Sequence, residues 1–186
     1  MPIVRTVEPG AEPVTLAQAK AHLRVDYSAD DDLISALISA ARQQCEHRTQ
    51  RTLVNTTWRL SVDAFEQLAL LPMGPVTAIT SLSYVDANGT TQTLSSGTDY
   101  RADLDSAPAR VQPINTWPTA ADQLNAVTIT YTAGYGASGA SVPAPLRQWI
   151  LLAVGEMYAH RARSDERPAV AHDFVDGLLD PFRTWG

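Results

Sequence analysis

One cysteine, one lysine and a longest apolar run of six residues, "WILLAV" from Trp149 to Val154, set the first limits on this chain of 186 residues. A lone Cys45 excludes an intrachain disulfide, and at an apolar helical position it reads as small core filler. Six apolar residues fall far short of the ~20 that span a bilayer. The opening "MPIVRTVEPG" has no basic stretch followed by an apolar one, so the expectation is a soluble chain with no export signal and no membrane contact. Histidine is equally sparse. His22, His47, His160 and His172 stand singly, without the i, i+4 or Cys-x-x-Cys company of a zinc site, and no metal is expected.

Clustered positive charge is also missing. The formal charge is −6, with the acidic excess spread along the chain. Neutralising phosphates takes grouped Lys and Arg. The nearest grouping, Arg161, Arg163 and Arg167, is interleaved with Asp165 and Glu166 and reads as a solvated helix end. No G-x-S-x-G elbow occurs. Glu46 and Glu156 are the only glutamates on the two long helical stretches, and their positions do not imply the burial that general-acid work requires. Catalytic residues are therefore expected to be absent, and so are cofactors.

What the chain does have is a change of period. Thr15 with Gln18 forms a capping-box pattern ahead of a short helix to about Arg24. Ser28 to Asp32 opens a second helix with Asp30, Asp31 and Asp32 in its first turn. Its apolar stripe is Leu33, Ile34, Leu37, Ile38, Ala41 and Cys45, with Arg42, Gln43 and Glu46 on the opposite side. The three aspartates point in different directions and find no fourth ligand, so they read as dipole partners rather than a cation site. From Thr52 the period becomes two, with Trp58, Leu60 and Val62 alternating against Thr57, Arg59 and Ser61. Further strands are expected at 77–85, 91–94, 100–102, 109–111 and 126–132, with Asn88-Gly89 as a tight turn.

The resulting expectation is an α+β fold: a helical bundle from N- and C-terminal helices, with a small antiparallel β-module inserted. The boundaries are 1–51 for the N-terminal helical part, 52–133 for the module and 134–186 for the C-terminal part, including a docking tail at 172–186. Gly134, Gly136 and Gly139 match G-x-G-x-x-G after a strand. Pro143 and Pro145 interrupt, and no second parallel strand follows, so the loop reads as a hinge rather than a dinucleotide site. A helix starting near Pro145 is apolar on two faces, Leu146, Ile150, Ala153 and Met157 on one, Trp149 and Leu152 on the other. These six are the expected subunit interface. The tail carries Phe174, Leu178, Leu179, Phe182, Arg183 and Trp185, the expected docking residues for a portal or a neighbouring subunit, with docking on its own fold as the alternative.

Together, "LAQAKAHLRVDYSADDDLISALISAARQQCEHRTQRTL", "LPMGPVTAITSLSYVDANG", "VTITYTAGYG", "VPAPLRQWILLAVGEMYAHR" and "LLDPFR" resemble, in collinear order, the head-tail connector (adaptor, or head-completion) proteins of long-tailed bacteriophages and prophages. The resemblance implies a virion structural protein at the head-tail junction, made in the cytoplasm of a bacterial host. Its implied partners are further copies of itself in a ring, commonly of twelve, the portal protein, and the next neck or tail component. Genomic DNA would pass through the channel without sequence-specific binding. The isolated chain is expected to stay monomeric until a portal is present. The alternatives are a neck or tail-completion protein at another joint, and a small ligand-binding protein or enzyme using the Gly134 to Gly139 loop.

Overall fold

Thr15 begins the first helix as its pattern predicts: the Gln18 amide donates to Thr15 Oγ1 at 3.2 Å, and the Thr15 amide donates to Gln18 Oε1 at 2.9 Å. Both otherwise orphaned N–H groups are thereby satisfied. The computed structural model describes residues 2–160 and 173–183. The chain divides into two units, a helical unit of Ala11–Val54 with the segment from Tyr135 onward, and a β unit of Met1–Gly10 with Asn55–Gly134. The α+β class is as expected.

In the helical unit, α1 (Leu16–Leu23) ends at Arg24 in the left-handed conformation. Helix α2 (Asp31–Thr49) carries Asp31 and Asp32 in its first turn, and Lys20 Nζ reaches Asp31 Oδ1 at 2.6 Å. Helix α3 (Ala144–Ala159) has Pro145 in its first turn, where no N–H is required. A single turn, α4 (Asp173–Asp176), follows. The core joins Ile34, Ile38, Ala41 and Cys45 of α2 to Leu146, Ile150 and Val154 of α3. Burial, with the neighbouring Glu46 charge, pushes the Cys45 thiol up to about 12, the inert filler its position suggests.

The named strands of the β unit all pair antiparallel. Its strands are β1 (Ile3–Val7), β2 (Thr56–Val62), β3 (Leu70–Leu71), β4 (Val76–Val85), β5 (Thr91–Leu94), β6 (Tyr100–Asp103), β7 (Ala109–Pro113) and β8 (Val127–Ala133). One sheet has the order β1-β2-β8-β4-β5 and the other β3-β7-β6. Trp58, Leu60 and Val62 of β2, Val127, Ile129 and Tyr131 of β8, and Val111 of β7 share one core. Phe65 stacks on Trp117 within it, with ring centroids 4.6 Å apart. The Tyr131 hydroxyl donates to the Pro72 carbonyl at 2.7 Å, which fixes the corner before β4. Asp86 closes the β4–β5 hairpin by accepting from the amides of Asn88 (2.9 Å) and Thr90 (3.0 Å).

Two strands differ from the sequence reading. Residues 1–51 were expected to belong with the helices, but Ile3–Val7 pairs with β2 at the sheet edge. Val4 and Val7 stay exposed there, which spoils the alternation that would betray a strand. The strand β3 is two residues long and has no period to detect.

Candidate functional site

Helix α3 carries the residues expected to meet a neighbouring subunit. Leu146 and Ile150 are fully buried, with Trp149 at 3% and Ala153 at 9% exposure. All four belong to the core of their own helical unit. The broad apolar circumference is explained by α1 and α2, which both pack against α3. The interface expectation is therefore corrected for these four. Leu152 and Met157 are half-buried, Met157 against that same core.

Trp149 is also held by polar contacts. Its Nε1–H donates to Asp176 Oδ1 at 3.3 Å, and the Arg48 guanidinium lies over its ring at 5.4 Å. Arg48 Nη1 meets the same Asp176 oxygen at 2.5 Å. These contacts bring α2, α3 and α4 together at one point. Next along the chain, Leu179 is fully buried in the same core, and Val175, Leu178 and Phe182 pack against it. Arg51 Nε donates to the Phe182 carbonyl, and Arg183 pairs with Asp180 at 3.2 Å. The described part of the tail thus docks on its own unit, the alternative to a portal or neighbour. The Phe174 side chain and Trp185 lie outside the described residues.

The three glycines expected to form a hinge are places of close approach. A Cβ at Gly134, where φ is +139°, would lie 2.5 Å from the Asn55 amide nitrogen. At Gly136 it would meet the Ser141 side chain at 2.4 Å, and at Gly139 the carbonyl oxygens of Glu12 and Pro13 at 2.6 Å. No carbon fits at such distances from backbone atoms. Gly139→Ala is accordingly expected to cost about 1–3 kcal/mol through overpacking, a fall of about 2–4 °C in Tm for each kcal/mol. Gly10→Ala, with nothing within 4 Å of the added carbon, should melt with the parent chain in the same calorimetric comparison.

A buried ionic cluster escaped the sequence reading. Arg42 and Glu46, placed there on the polar side of α2, are 3% and 2% exposed. Arg42 Nε donates to Glu12 Oε2 at 2.8 Å and Nη1 to Glu46 Oε2 at 3.0 Å. Ser39 Oγ donates to Glu12 Oε1 at 2.7 Å, and the Leu53 amide donates to Glu46 Oε1 at 3.0 Å. The cluster pins the segment entering α1 and the segment leaving α2 to one helix face. Every carboxylate oxygen in it accepts from a donor. Beside it lies a groove of about 520 Å³ bordered by Pro13, Leu16, Ser39, Gly139 and Arg147. Among the described residues, no three His, Cys, Asp or Glu side chains are grouped to hold a metal ion. The arrangement ties three segments of the helical unit together.

Residues 13–112, more than half of the chain, match the family of phage gp6-like head-tail connector proteins. The chain belongs to that family. This head-tail connector is also similar in structure to a component of the virion of a native gene transfer agent particle. The two share 27% identity and a TM-score of 0.82, over 100% of this chain and 97% of that one. A component of the neck of an empty particle of this kind, computed with C6 symmetry, matches at 25% identity and a TM-score of 0.82 over the same shares. A component of the neck of a native particle, computed with C12 symmetry, matches at 27% identity and a TM-score of 0.74, again over 100% and 97%. No curated protein matches the connector. The connector is a virion structural protein of the head-tail junction, and no helix among its described residues is long and apolar enough to cross a membrane.

Proposed function

We propose that copies of this connector close into a ring beneath the portal, lengthen the channel through which DNA passes, and receive the next neck or tail component. The observation that carries this reading is the full-length likeness to subunits of particle necks computed with C6 and C12 symmetry, which supports a ring of twelve. A net charge of −6 suits the role, because like charge disfavours phosphate contacts that would hold the passing DNA. The role requires no bond to be made or broken, and we assign it no catalytic residue and no cofactor. The isolated chain stays monomeric, with the portal as the template for closure.

Deletion of the gene in a particle-producing host tests the reading. Filled or leaking heads and separate tails should accumulate, and electron microscopy of complemented particles should show the chain as a ring between them. Normal yields of tailed particles without the chain would overturn the reading.

A further inference from the structure

The five-stranded sheet turns one face to the core and leaves the other accessible. Thr57, Arg59 and Ser61 of β2 stand opposite Thr132, Thr130 and Thr128 of β8. The rows continue onto β4, where Ser81 pairs with Thr130 and Ser83 with Thr128, and then to Thr93 of β5 across from Ser83. In these rows Arg59 is the single charged side chain, and the threonines and serines of β2, β8 and β4 are half-buried while Arg59 and Thr93 are exposed. A sheet face meant for water ordinarily carries more charge, and charge depletion marks the centre of an interface. Threonine adds a stiff β-branched surface with little rotamer freedom to lose on contact.

We propose that this hydroxyl-rich face is the surface on which the adjacent copy of the connector sits. The inference rests on the ring reading above. Three observations select a second copy as the occupant. Every copy carries the same charge of −6, so identical chains approach best where charge is lowest. DNA would require grouped cations, and the face offers one arginine. Five strands about 4.8 Å apart and some seven residues long cover on the order of 400 Å², roughly half of the ~800 Å² that each partner gives to a standard interface. The face therefore forms the centre of the contact, with neighbouring residues as its rim. Because ring contacts are heterologous, it meets a different patch on the next subunit.

The test uses the full chain in assembled particles. A photo-crosslinking amino acid at Thr93, on the exposed edge strand, should yield a covalent dimer of the connector, with the second peptide outside β5. Thr128→Asp, at a half-buried position flanked by Ser61 and Ser83, should lower the yield of tailed particles at least about tenfold, since a buried unpaired charge costs several kcal/mol, while Thr128→Ser restores it. Crosslinks only to a different protein, no crosslink at all, or a Thr128→Asp chain that melts and assembles like the parent would overturn the inference and leave the ring standing. If Thr128→Asp does not fold, the crosslink alone decides. The ring reading itself falls only by the deletion experiment.

Discussion

Glu46→Ala should lower the stability of the isolated connector by about 3–5 kcal/mol, the range for breaking a buried ion pair by removing one partner. The substitution strands two donors. Arg42 keeps its bond to Glu12 but loses the one to Glu46, and the Leu53 amide, in a fully buried residue, loses its acceptor. In urea the midpoint should shift with an unchanged m-value, because the surface exposed on unfolding is nearly the same. Arg42→Met combined with Glu46→Gln should recover much of the loss, since the amide oxygen still accepts from Leu53 and the buried cation is gone. A Glu46→Ala chain that unfolds at the parental midpoint would show that the cluster does not hold the unit together.

Trp149→Ala is expected to cost a similar amount, about 3–5 kcal/mol for truncating a buried aromatic, or roughly 6–20 °C in Tm at this size. The indole fills the core of the helical unit and also carries Arg48 over its ring and Asp176 on its nitrogen. Trp149→Phe keeps most of the volume and loses the N–H, so it should fall between the two. The loss should appear in the isolated chain, before any question of assembly. A variant that melts like the parent yet fails to join heads to tails would return Trp149 to an interface.

Where apolar residues recur with a fixed period, the sequence alone located the structure well. The stripe of α2, except for the exposed Leu33, and the alternation of β2 each register burial at every turn or every second residue, so their cores were visible. Arg42 and Glu46 were not. They stand at i and i+4 like any exposed pair, and what buries them comes from Glu12, far back in the chain, and from Leu53 beyond the helix end. Composition could not assign α3 or Leu179 either, because an apolar side chain carries no record of whether its own fold or a partner covers it. The glycines were ambiguous for a related reason. Their motif marks where a Cβ cannot go, and whether the cause is a ligand, a hinge or another backbone is known only once Glu12, Pro13 and Asn55 are in place. Family resemblance supplied the role that local chemistry did not.

The backbone passes from one unit to the other after Gly10, after Val54 and after Gly134. A pull on either unit is therefore divided among three covalent crossings, where a chain of two consecutive domains would carry it on one. Two of the crossings are also tied at their roots. The Tyr135 amide donates to the Leu53 carbonyl at 3.1 Å, and the Gly134 amide donates to the Pro75 carbonyl at 2.9 Å. Each of these bonds lies inside one unit, so tension arriving along β8 loads a hydrogen bond at the root of each unit as well as the backbone itself.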